Sequence, residues 1–174
     1  MRTMSKVKTA TPQITPQKHQ IEANDQLDQS NSLIAYHGLG SGKTLTSILA
    51  AQREKGPKLV LAPASLIGNY RKELHKFNID PSEYHLMSYE KFRKNPDHYV
   101  DKIKPSIMIA DEFHRTQNID TMTGDSIRSV RPKVKKFLGL TGTIAQNHPS
   151  EIGSLVHNAT GKPILGKDSH EFRQ

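Results

Sequence analysis

His37-Gly38-Leu39-Gly40-Ser41-Gly42-Lys43-Thr44 is the stretch of this chain whose residue types and spacing most directly specify chemistry. Its glycines let the backbone adopt φ values closed to other residues and turn N–H groups towards an anion. Leu45, Ile48 and Leu49 recur at helical spacing just after it, so a helix N-terminus adds its partial positive charge at the same point. A lysine and a hydroxyl complete a polyphosphate site. Lys43 would reach the β- and γ-phosphates of ATP, and the Thr44 hydroxyl would ligate Mg²⁺. The apolar run Leu33-Ile34-Ala35-Tyr36 supplies the strand that such a loop follows. His37 stands where the strict pattern has glycine.

A second apolar run, Ile107-Met108-Ile109-Ala110, ends in Asp111-Glu112-Phe113-His114. Ligands of open α/β sheets sit at the carboxyl ends of the strands, which puts this acid pair beside the phosphate loop. Asp111 is placed to hold Mg²⁺, and Glu112 to orient or deprotonate an attacking water. Taken alone, an acidic pair after a strand is often no more than a helix cap. Downstream of a phosphate loop it gains a reason.

The elements that must position these groups repeat one pattern. Leu59-Val60-Leu61-Ala62 and Phe137-Leu138-Gly139-Leu140 are further short apolar runs without alternation, as expected of parallel strands buried on both faces. Tyr84 to Tyr89 is another candidate strand. Leu66, Tyr70, Leu74 and Phe77 form a helical stripe after the second strand, and Ile152, Leu155, Val156 and Ala159 form another near the end. Gly56-Pro57 stops the first helix, and Asp80-Pro81 marks a turn after the second. Strands alternating with helices of this length predict an α/β fold, with a mostly parallel central sheet and helices on both faces.

The bulk composition bounds the partners. The chain has 174 residues, with 25 Lys and Arg against 17 Asp and Glu, a formal charge of +8 that favours a polyanion such as nucleic acid. It has no cysteine, which excludes disulfides and thiolate metal sites, and its scattered histidines show no ligand spacing. No stretch approaches the ~20 apolar residues of a membrane span, and no apolar core follows the basic N-terminus. No membrane partner and an intracellular location are therefore expected. Residues 1–15 read as a flexible basic tail, and 16–174 as one domain. Lys133, Lys135 and Lys136 read as a solvated strand edge.

With both motifs in place, the chain from about Lys18 onward resembles the first, RecA-like lobe of Swi/Snf-type DNA translocases in helicase superfamily two. Lys18-His19-Gln20 is similar to the segment whose glutamine reads adenine, which would give Gln20 that role. Pro63, Ala64, Ser65 and Asn69, and then Ser88 and Tyr89, fall in stretches that resemble nucleic-acid backbone contacts of the family. Asp111-Glu112-Phe113-His114 departs from the commoner Asp-Glu-Ala-His at Phe113. Leu140-Thr141-Gly142-Thr143-Ile144-Ala145-Gln146-Asn147 is similar to the family's Leu-Thr-Gly-Thr-Pro-Ile-Gln-Asn signature, with Ile144 and Ala145 in place of proline and isoleucine. The resemblance makes His114, Thr141, Gly142 and Thr143 couplers between nucleotide state and nucleic-acid grip.

The resemblance also implies an ATPase that engages duplex DNA, and a second RecA-like lobe, supplied elsewhere, that brings arginine fingers to the γ-phosphate. No candidate second lobe is legible in these residues, so the lobe alone is expected to bind ATP and hydrolyse it slowly. Two other classes stand beside this one. One is a different P-loop enzyme such as a kinase, which needs an acceptor site and lid that nothing here resembles. The other is a DNA-binding or structural module that keeps the fold without catalysis, against which the full set of Lys43, Thr44, Asp111 and Glu112 argues.

Overall fold

A computed structural model describes residues 25–36, 43–113, 121–141 and 159–160. Its core is a five-stranded, all-parallel sheet. The strands are β1 (Ser32–Tyr36), β2 (Lys58–Ala62), β3 (Tyr84–Ser88), β4 (Ile107–Ala110) and β5 (Lys136–Thr141), in the order β1-β5-β4-β2-β3. All five runs expected from the sequence are strands. The third stops at Ser88, because Tyr89 opens a helix.

The helices are α1 (Lys43–Gln52), α2 (Ala64–Lys76), α3 (Tyr89–Lys94), α4 (Pro96–Ile103) and α5 (Thr121–Val130). Residues 25–30 form a further helical turn. The apolar stripe expected over 152–159 lies outside the described residues except for Ala159, which is helical and buried.

Alternation along each strand divides the core into two layers. Leu59, Leu61, Met108, Ala110 and Phe137 point to one face, where Phe92 of α3, Val100 of α4 and Ile127 and Val130 of α5 cover them. Val60, Ile107, Ile109, Leu138 and Leu140 point to the other, against Leu27 of the 25–30 turn, Ile48 and Ala51 of α1, and Tyr70 and Leu74 of α2. Burial on both faces is why these strands read as continuous apolar runs. Each fully buried aliphatic side chain contributes about 1.5–3 kcal/mol, so the ten inward positions named here hold the sheet rigid under the site.

Two basic residues serve this frame rather than a ligand. Lys136 is buried at the start of β5, not on a solvated edge; its ammonium bonds Asp28 at 2.7 Å and also pairs with Glu54. Lys133 does lie in solvent, bridging Asp97 and Asp101 at 2.9 and 3.1 Å. Arg131 is buried and spends its guanidinium on the backbone, donating to the carbonyls of Ala159 (2.6 Å), Asn31 (2.9 Å) and Val134, and to the Ser32 hydroxyl. That fork ties the entries of β1 and β5 together. Arg131→Lys keeps the charge but loses the planar fork. It is expected to cost about 1–2 kcal/mol in thermal or denaturant unfolding, because at least one buried carbonyl loses its donor.

Candidate nucleotide site

Every strand of the sheet delivers a residue singled out in the sequence to its carboxyl end. β1 leads into residues 37–42, and β2 into Pro63, Ala64 and Ser65. β3 ends at Ser88, β4 runs into Asp111 and Glu112, and β5 ends at Thr141. Because β1, β5 and β4 are parallel neighbours in that order, the carboxyl ends of β1 and β4 lie at the same edge of the sheet.

Gln20, Gly38, Leu39, Gly40, Ser41, Gly42, His114, Gly142 and Thr143 lie outside the described residues. Lys43 and Thr44 open α1, and the Lys43 ammonium bonds the Glu112 carboxylate while sitting 3.4 Å from Asp111 Oδ1. Burial alone would lower the lysine pKa, but the Glu112 hydrogen bond and the two carboxylate charges outweigh it and hold Lys43 above its usual value. Asp111 is raised instead, because burial outweighs the stabilising Lys43 charge. The pair is thus unequal, with Asp111 the more enclosed acid and Glu112 half-buried at the rim.

Backbone geometry fixes the two acids in different directions. The Asp111 N–H continues the ladder to the Leu61 carbonyl at 2.8 Å, and the Asp111 carboxylate accepts from the Glu112 N–H at 2.9 Å. Glu112 then takes a left-handed φ of 51°, uncommon for a residue with a Cβ. The Phe113 N–H bonds the Leu140 carbonyl at 2.8 Å, restoring contact with β5. The left-handed turn brings Glu112 out of strand direction and over Lys43. Strain of this kind, about 1–3 kcal/mol, persists where the surrounding structure over-determines it, and it gathers at functional sites.

Lys43, Thr44, Leu66, Asn69, Tyr70, Asp111 and Glu112 line a cleft of about 140 Å³. Whole small ligands fill pockets of ~300 Å³ and more, so this cleft suits the phosphate end of a nucleotide rather than all of it. The hydroxyl of Thr44 and the carboxylate of Asp111 are hard oxygen donors of the kind Mg²⁺ takes. Among the described residues, no cluster of three or more His, Cys, Asp or Glu could cage a metal unaided. A larger groove of about 530 Å³, lined by Val100, Asp101, Lys104, Pro105, Lys133 and Lys135, lies at the opposite ends of β4 and β5. It lacks the acid pair and sits at the wrong ends of the strands for an α/β ligand site.

Among the residues expected to meet nucleic acid, Ala64, Ser65 and Asn69 are exposed, and Pro63 and Ser88 half-buried. The Ser88 hydroxyl caps α3 by accepting the Lys91 N–H at 3.2 Å. Tyr89 is placed differently. It is buried, and its hydroxyl donates to the Asp111 carbonyl. Thr141 is fully buried at the end of β5. Sequence reasoning missed Tyr89 as a support of Asp111 and Tyr70 as a partner of Ser47 on α1; hydrogen bonds between residues so far apart in the chain leave no local pattern.

No protein-family model matches the chain. It is 26% identical over 156 residues to protein L538 of Acanthamoeba polyphaga mimivirus, named among ATP-dependent RNA helicases, covering 90% of this chain and 35% of that protein. It is 30% identical to the Bacillus subtilis ATP-dependent helicase YqhH, covering 91% of this chain and 32% of YqhH. To the mouse DNA repair and recombination protein RAD54B it is 31% identical, covering 68% of this chain and 17% of that protein. The chain therefore spans about a third or less of the length of these relatives. Among solved structures, the SWI2/SNF2 ATPase core of Sulfolobus solfataricus in complex with dsDNA matches with a TM-score of 0.69 and 21% identity, over 83% of this chain and 35% of that one. The Hef helicase domain of Pyrococcus furiosus matches at 0.67 and 20%, over 83% and 36%. At those identities the structures establish the fold, and the sequence relatives narrow the branch. The chain is a relative of the Swi/Snf-type ATPases of helicase superfamily two and has the fold of their RecA-like lobe.

Proposed function

We propose that the chain is the Mg-ATP-binding lobe of a nucleic-acid-dependent motor ATPase, which couples hydrolysis to engagement of duplex DNA together with a second RecA-like lobe. The observation that carries this reading is the meeting of Lys43 and Thr44, at the start of α1, with Asp111 and Glu112, beyond β4, in one cleft. Lys43 would hold the β- and γ-phosphates, exchanging its carboxylate partners for phosphate oxygens. Thr44 and Asp111 would hold Mg²⁺, which when bound offsets charge on the phosphates. Glu112, freed from the lysine and aimed by its left-handed backbone, would orient the attacking water and accept its proton. Gln20 would read the adenine, and residues 38–42 would wrap the phosphates with backbone N–H groups.

Coupling would run along the same sheet edge, through His114, Thr141, Gly142 and Thr143. Pro63, Ala64, Ser65, Asn69 and Ser88 would meet the nucleic-acid backbone beside the nucleotide. Among the described residues no helix is long and apolar enough to cross a membrane.

Steady-state ATP hydrolysis by this chain, with and without duplex DNA, tests the proposal alongside binding of a fluorescent Mg-ATP analogue. The expected result is Mg-dependent nucleotide binding with slow turnover, since an assay of one lobe lacks the arginines that stabilise γ-phosphate charge. Failure to bind Mg-ATP at millimolar concentration would overturn it.

A further inference from the structure

Two tyrosines, Tyr70 and Tyr89, join the residues assigned to Mg²⁺ to the elements beside them, Tyr89 from a buried position rather than through the nucleic-acid contact expected of it. Tyr70 lies on α2, next to the exposed Asn69, and its hydroxyl sits 2.9 Å from Ser47 Oγ on α1. Ser47 Oγ has one proton and gives it to the Thr44 carbonyl at 2.7 Å. The Tyr70 hydroxyl is therefore the donor to Ser47, and the chain runs Tyr70 to Ser47 to Thr44. Tyr89 lies on α3 next to Ser88, and its hydroxyl donates directly to the Asp111 carbonyl. Thr44 and Asp111 are the two residues assigned to Mg²⁺. The Asp111 carbonyl is thus held by a tyrosine directly and the Thr44 carbonyl through Ser47, and each tyrosine has a sequence neighbour, Ser88 or Asn69, on the proposed nucleic-acid side.

We propose that Tyr70 and Tyr89 are paired positioning residues that transmit nucleic-acid contact at α2 and α3 to the two metal-holding residues. The inference rests on the nucleotide and nucleic-acid reading above and deepens it. A phosphate backbone that draws on Asn69 or Ser88 shifts the first turn of α3 or the exposed side of α2. Both rings are buried, so such a shift carries the hydroxyl with it and moves the Asp111 carbonyl directly or the Thr44 carbonyl through Ser47. Burial pushes the Tyr70 hydroxyl far above its usual pKa, so it remains a donor throughout the working pH range. Coupling of this kind is reciprocal: whatever factor nucleic acid applies to nucleotide affinity, nucleotide applies to nucleic-acid affinity.

Phenylalanine at either position keeps the ring and removes only the hydroxyl. Tyr84→Phe is the control, because Tyr84 is also buried and donates to Gln52 at 2.7 Å, away from the cleft. The experiment measures the dissociation constant of a fluorescent Mg-ATP analogue with and without a short DNA duplex. It compares the unaltered chain with Tyr70→Phe, Tyr89→Phe, the double variant and Tyr84→Phe. The readout is the ratio of the two constants, which a general loss of stability does not move. Each tether lost is expected to bring that ratio towards one by a factor of roughly 2 to 10, while Tyr84→Phe keeps the unaltered ratio. The inference is overturned if the double variant keeps the full ratio, if Tyr84→Phe loses as much, or if the unaltered chain binds both ligands with no coupling. An unaltered chain that binds no Mg-nucleotide overturns the proposed function itself, before any variant is compared.

Discussion

Lys43→Ala is expected to weaken Mg-ATP binding by roughly 10- to 100-fold, the loss that follows when a charged hydrogen-bond donor worth about 1.5–3 kcal/mol is removed. The structure adds a reason for the upper part of that range. The ammonium lies against both Glu112 and Asp111, and the Asp111 pKa is already raised by burial with Lys43 as its counterweight. Without the lysine, two neighbouring carboxylates face an incoming triphosphate unopposed, so repulsion adds to the missing contact. Glu112→Gln separates the roles. Glutamine keeps the shape and spares the proposed Mg²⁺ ligand, so nucleotide binding should survive, whereas hydrolysis by the chain joined to the proposed second lobe should fall by about 10²–10⁴, the usual contribution of a general base. Isothermal titration measures the first effect and steady-state turnover the second. Unchanged turnover in Glu112→Gln would remove the base assignment and leave Lys43 untouched.

The parts of this architecture that announce themselves locally were legible in the sequence. Strands buried on both faces leave unbroken apolar runs, so β1, β2, β4 and β5 were found to within a residue or so of their ends. Helices α1 and α2 present full stripes, Leu45-Ile48-Leu49 and Leu66-Tyr70-Leu74, and were found as well. Helices α3 and α4 have only 6 and 8 residues, too short for a stripe to repeat, and α5 carries a glycine, two serines and two threonines among its 10 positions. A signal for α4 was nonetheless present: Asn95 caps the helix by accepting the His98 N–H, and Pro96 occupies its first turn. That Lys43, Thr44, Asp111 and Glu112 meet in one cleft was legible because the motifs that carry them each follow an apolar strand run. Lys136 was misread, because a buried lysine declares itself only through partners, here Asp28 and Glu54, that the fold brings from far away in the chain.

Phe113 shows how a departure inside a motif is absorbed elsewhere, and it carries the largest stability prediction. Its ring is fully buried, 5.2 Å from that of Phe137. It also lies so close over Gly139 of β5 that a Cβ there would stand 2.6 Å from Phe113 Cδ1 and 2.9 Å from Cγ. The glycine is needed for space, because its φ is not left-handed. Phenylalanine beside the acid pair and glycine in the neighbouring strand are therefore one packing unit. Phe113→Ala is expected to cost about 3–5 kcal/mol by opening a cavity. Gly139→Ala is expected to cost about 1–3 kcal/mol by overpacking, since the ring is wedged against Phe137 and cannot retreat. In the double variant the new methyl enters space the ring has left, so the two losses should not add. An interaction energy of roughly 0.5–3 kcal/mol in favour of the pair is expected from denaturant unfolding of all four proteins. Strict additivity would show that ring and strand do not share the space. The Phe113 N–H also anchors the turn that aims Glu112, so Gly139→Ala should lower turnover of the proposed two-lobed motor as well as stability.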